Sequence, residues 1–100
     1  MPRYYDRDGQ PIEDMLVWGM ALQDEDYKRV AKDEGDGWMV STVWLGLDHN
    51  WDPDGPPLIF ETMIFGGPLD EEQARYSTLD EAIAGHAVML ERARHSMSVN

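Results

Sequence analysis

Two runs rich in β-branched and aromatic residues, Trp38 to Leu47 and Leu58 to Phe65, bracket the segment Asp48-His49-Asn50-Trp51-Asp52-Pro53-Asp54-Gly55-Pro56-Pro57. The runs read as strands, because branched and aromatic side chains pack well on a pleated surface. A stretch of turn-forming residues between them folds them back as an antiparallel hairpin. Hairpin loops usually take about two to five residues, so this longer connection is expected to stand out from the sheet as a stiffened, negatively charged tip.

Residues two apart on a strand share a face. Trp38, Val40, Thr42 and Trp44 fall on one side of the first run, with Met39, Val43, Leu45 and Leu47 on the other. Leu58, Phe60 and Ile64 likewise oppose Ile59, Met63 and Phe65. Both sides are apolar. Either two helices each cover one face, or both share one face and leave the other to a second copy, giving a homodimer through the sheet.

The flanks supply the helices. Pro11 suits the first turn of a helix, and Glu13 and Asp14 suit its positive end. Ile12, Met15, Leu16, Gly19 and Met20 follow at the spacing of a buried stripe, with Trp18 and Leu22 to one side. Tyr27 to Lys32 reads as a strand in preference to a last helical turn, and Asp36-Gly37 as the tight turn leading into Trp38. Gly66-Gly67-Pro68 stops the next strand, and Gln73 to Tyr76 adds a short edge. Thr78 followed by Glu81 marks a second helix start, with Ile83, His86, Ala87 and Leu90 as its inward stripe. The expected architecture is α+β: one domain over residues 1–100, a three- to four-stranded antiparallel meander with one N-terminal and one C-terminal helix.

With 100 residues there is one core and no room for a cofactor domain, and the absence of cysteine excludes disulfides and thiolate chemistry. The longest apolar runs fall far short of the ~20 residues that span a bilayer, so a soluble cytoplasmic protein is expected. The net charge of -12 is concentrated: Asp48, Asp52, Asp54, Glu61, Asp70, Glu71 and Glu72 lie between Gly37 and Ala74 without a lysine or arginine among them. Such a surface repels nucleic acid, whose binding depends on cations at phosphates, and it attracts a basic partner. The same acidity also serves solubility alone.

Other chemistry is thinly supported. Asn50, Asp52 and Asp54 alternate before Gly55, with Glu61 at the twelfth place of a calcium loop begun at Asn50; hard cations want such oxygens. The flanks, however, read as strands and the prolines stiffen the path. His49, His86 and His95 have no metal or catalytic spacing, and His86 on the apolar stripe reads as a core histidine with a hydrogen-bonded ring. Ser41 and Thr42 lack the elbow that exposes a nucleophile, and Gly66-Gly67-Pro68 lacks the lysine and helix of a phosphate loop. No enzyme is expected. Trp51 either anchors a partner, as tryptophan does at binding hot spots, or folds back over its own hairpin.

The segments Ser41 to Asn50, Gly55 to Gly67, Tyr76-Ser77-Thr78 and Ala84-Gly85-His86, with the start Tyr4-Tyr5-Asp6-Arg7-Asp8-Gly9, resemble a group of small uncharacterised proteins encoded by bacteriophages, especially those of actinobacteria, and by their hosts' genomes. The resemblance implies a setting and carries no site residues with it. Small acidic phage products often bind and block a host protein, and some imitate the charge of DNA. The function so implied is an accessory inhibitor of a basic, nucleic-acid-handling host protein. Its partner-binding residues would be Asp48, Trp51, Asp52, Asp54, Asp70, Glu71 and Glu72. A calcium-binding or enzymatic domain and a self-associating structural phage component are the alternatives.

Overall fold

The computed structural model describes residues 3–98 and centres on a four-stranded antiparallel sheet in the order β1-β2-β3-β4. The strands are β1 Arg29–Gly35, β2 Trp38–Trp44, β3 Phe60–Phe65 and β4 Gln73–Tyr76, so each pairs with its neighbour in sequence. Gly35 faces Trp38 across the Asp36-Gly37 turn, where only Gly37 takes a positive φ, 80°. At the far end of β2, Trp44 faces Phe60, and the chain between them forms the acidic tip.

Helix α3 (Leu79–Ser98) runs across one face of the sheet and touches all four strands. Its start is locked by a reciprocal pair: the Glu81 amide donates to Thr78 Oγ1, and Glu81 Oε1 accepts from the Thr78 amide. Such a box satisfies two otherwise orphaned donors. Under α3 lie Val40, Thr42 and Trp44 from β2 and Phe60, Thr62 and Ile64 from β3, all buried. Full burial of a Phe60-sized side chain contributes about 1.5–3 kcal/mol. A Cβ on Gly85 would meet the Tyr76 ring, so α3 comes this close to β4 only because that position carries no side chain.

The helices depart from the sequence expectations in register. α1 spans Met15–Gln23, not from Pro11, because Asp14 is the cap: its side chain accepts from the Leu16 and Val17 amides. Pro11 instead bridges to Tyr5, and the Ile12 amide donates to the Tyr4 carbonyl. The inward side of α1 is Trp18, Ala21 and Leu22, which pack on the Trp44 cluster, while Met15, Leu16 and Met20 of the expected stripe face outward, Leu16 at 73% exposure. Indole chemistry decides this. Trp18 Nε1 reaches the Gly46 carbonyl at 2.8 Å, and its ring lies 4.5 Å from that of Tyr4.

Tyr27 and Lys28 belong to a single helical turn, α2 (Glu25–Lys28), capped by Asp24, so the first strand begins two residues later than its expected start. On α3 the buried stripe is Ala82, His86, Met89 and Ala93; of the expected set, Ile83 and Ala87 are exposed and Leu90 half-buried. Among the described residues, no helix runs across the face of the sheet away from α3. Met39, Val43 and Met63 are half-buried there and Phe65 is exposed. Among the described residues, no helix is long and apolar enough to cross a membrane.

Candidate functional site

The tip between β2 and β3 owes its shape to its own polar side chains. Asp48 Oδ1 accepts from the Asn50 amide at 2.8 Å, Asn50 Oδ1 from the Asp52 amide at 2.9 Å and Asp52 Oδ1 from the Asp54 amide at 3.0 Å. Each is an Asx turn, in which a short polar side chain holds the backbone two residues on. Asp48 Oδ1 also accepts from the Leu58 amide, and Asn50 Nδ2 donates to the Pro56 carbonyl at 2.7 Å, closing the loop across its base. A Cβ on Gly55 would collide with that same Asn50 amide nitrogen, so a glycine is needed there.

This frame holds Trp51 out at 96% exposure. Asp52 and Asp54, which follow it in the chain, are exposed as well. Arg3 borders the tip and its carbonyl accepts from the Asp48 amide, yet among the described residues no ion pair joins Asp48, Asp52 or Asp54 to any cation. The Asp54 carboxylate and the second oxygen of Asp52 therefore remain available to another molecule, whereas Asp48 Oδ1 holds two amides of the loop.

Asp70, Glu71 and Glu72 lie elsewhere. They follow β3, beside the Asp36-Gly37 turn, since Gly66 packs on the Gly37 carbonyl. The six residues of β3, at about 3.3 Å each, put roughly 20 Å of strand between this corner and the tip. Here Asp70 accepts from the Gly66 amide at 2.7 Å, and Glu72 pairs with Arg92 at 2.6 Å. Glu71 sits at the turn with φ 74° and its amide bonded to the Ile64 carbonyl. The acids drawn together as one docking surface from the sequence thus divide between opposite ends of the sheet.

The calcium pattern has a different cause. Alternation at Asp48, Asn50 and Asp52 is the repeat of successive Asx turns, the last of which holds the Asp54 amide. Glu61 lies on β3 with Oε2 3.0 Å from Arg75 Nε of β4. Among the described residues, no three His, Cys, Asp or Glu side chains converge as a metal would need.

A second polar constellation lies in the core. Tyr76 hydroxyl donates to Thr62 Oγ1 at 3.1 Å; Thr62 and Thr42 hydroxyls bond each other; Thr42 Oγ1 lies 2.7 Å from His86 Nδ1; and His86 Nε2 lies 2.8 Å from Asp33 Oδ2. The chain is satisfied with the ring proton on Nε2, each hydroxyl donating once. Its order, carboxylate to imidazole to hydroxyl, is that of a hydrolase triad, but Thr42 and Thr62 are wholly buried and no substrate reaches them. It is a structural network. The sequence signal for it was two threonines on otherwise apolar strand faces and a histidine on the facing helix stripe, a pattern in which buried donors must find one another. Compared with known proteins, the chain matches no family model, no curated protein and no solved structure.

Proposed function

We propose that the protein is a binding factor, of the bacteriophage or prophage kind that its sequence resembles, which docks its tip on the basic surface of a nucleic-acid-handling host protein and blocks it. The observation that carries this reading is Trp51, almost fully exposed and followed by the exposed Asp52 and Asp54, which make no ion pair among the described residues. An indole left in water contributes nothing to folding, whereas buried in a partner it is the commonest kind of hot-spot anchor. Asp52 and Asp54 supply the negative charge that the lysine and arginine side chains of such a protein otherwise meet on phosphates. A rigid tip loses little entropy on docking, which favours affinity. Opposite charge speeds the encounter and selects the partner, and salt screens it over about 8 Å at physiological strength.

Because Asp70, Glu71 and Glu72 lie at the opposite end of the sheet, the proposed docking site is the tip alone. In affinity capture from host lysate at low and high salt, Trp51→Ala and the double change Asp52→Asn, Asp54→Asn should each lose the captured protein, and Asp70→Asn with Glu71→Gln should retain it. Capture indifferent to both tip variants overturns the reading.

A further inference from the structure

The sheet face turned away from α3 is not uniformly open. Beside α2 it forms a cleft of about 400 Å³ floored by Met39, Val43 and Leu45 and rimmed by Lys28, Arg29 and Lys32. The chain has eight lysines and arginines against twenty acids. Three of those eight stand on this rim, with Glu25 the one carboxylate lining it. Each cation has a neighbour of opposite sign: Lys28 and Glu25 at 3.2 Å, Arg29 and Asp26 at 3.9 Å, Lys32 and Glu34 at 4.0 Å. These are short-range surface pairs, with Asp26 and Glu25 largely in solvent, and pairs of this kind hold their partners weakly. The cleft therefore offers an apolar floor under displaceable cations.

The molecule carries the complement of this cleft on its own surface. Trp51 is a large apolar group in full solvent, and the exposed Asp52 and Asp54 that follow it make no ion pair among the described residues. Small-molecule sites have volumes of about 300–1,000 Å³, so a cleft of about 400 Å³ has room for an indole. We infer that the Trp51 tip of one copy docks in the Lys28/Arg29/Lys32 cleft of a second copy, the indole on Met39 and Val43 and the two carboxylates on the rim cations. Two copies that exchange tips reciprocally close as a two-fold dimer, whereas a one-way contact between tip and cleft is heterologous and extends as a ring or chain. The inference shares the tip with the proposed host contact but needs no foreign partner, and a tip held in a second copy is withheld from any host protein.

Sedimentation of the full chain across a wide concentration range tests it. The mass should rise with concentration, and Trp51→Ala should hold it at the monomer. Lys28→Glu with Lys32→Glu in one variant, and Asp52→Lys with Asp54→Lys in another, should each stay monomeric alone yet associate when mixed, because both mixed contacts then pair opposite charges. Circular dichroism and melting temperature establish that each variant is folded. A wild-type protein that is monomeric throughout, or association that survives both charge reversals, overturns the inference. The two readings separate cleanly. The Lys28→Glu, Lys32→Glu variant keeps the tip, so it should still capture a host protein while failing to self-associate.

Discussion

Two glycines in helices show how opposite the same substitution can be. On α3, Gly85 abuts the Tyr76 ring, and any Cβ there enters the space the ring occupies. Gly19 on α1 has nothing within 4 Å of where its Cβ would stand. Alanine is worth about 0.8–1.0 kcal/mol over glycine inside a helix. Gly19→Ala should therefore raise the urea midpoint by about that much free energy. Gly85→Ala should lower it, since overpacking costs about 1–3 kcal/mol and exceeds the propensity gain. Equal shifts of the same sign in the two variants would show that α3 is not seated against β4 as described.

Among the elements, the tip is the one whose stability is set locally. Asp48 Oδ1 holds the amides of both Asn50 and Leu58, whereas Asp54 lends its carboxylate to no backbone amide among the described residues. Hydrogen bonds to a charged acceptor are worth about 1.5–3 kcal/mol. Asp48→Ala should speed hydrogen exchange at the Leu58 amide, and Asp54→Ala should leave it unchanged. If the two variants exchange alike, Asx bonding does not hold the loop. Strands, turns and the Thr78/Glu81 box were legible in the sequence because each depends on neighbours in the chain. The inward faces of α1 and α3 were not. For α1, the apolar residues Met15, Leu16 and Met20 match helical spacing as well as Trp18 and Leu22 do, and the choice falls to the Trp18 bond with a carbonyl 28 residues away. The tip was legible as a loop, but its alternating acids were ambiguous, since oxygen ligands and Asx turns ask for the same residues at the same spacing.

At the scale of the whole molecule, one path of hydrogen bonds, buried at His86, Thr42 and Thr62, passes through every strand and the long helix: Asp33 on β1, His86 on α3, Thr42 on β2, Thr62 on β3 and Tyr76 on β4. Among the described residues, no buried side-chain polar atom lacks a partner. Removing one member leaves others unpaired in the core, at about 1–3 kcal/mol. Thr42→Val, which keeps the shape, should therefore lower the unfolding free energy by that amount in a single cooperative transition. Amides of all four strands and α3 should lose protection together. Loss confined to β2 would mean that the path does not couple the elements. The tip, by contrast, stands outside this path. Its even-numbered residues 48, 50 and 52 build the frame and the odd-numbered Trp51 is merely carried by it, so the exposed letter can be exchanged without redrawing the loop. Rewriting position 51 alone would change the surface that the tip shows, keeping both scaffold and presentation as they are.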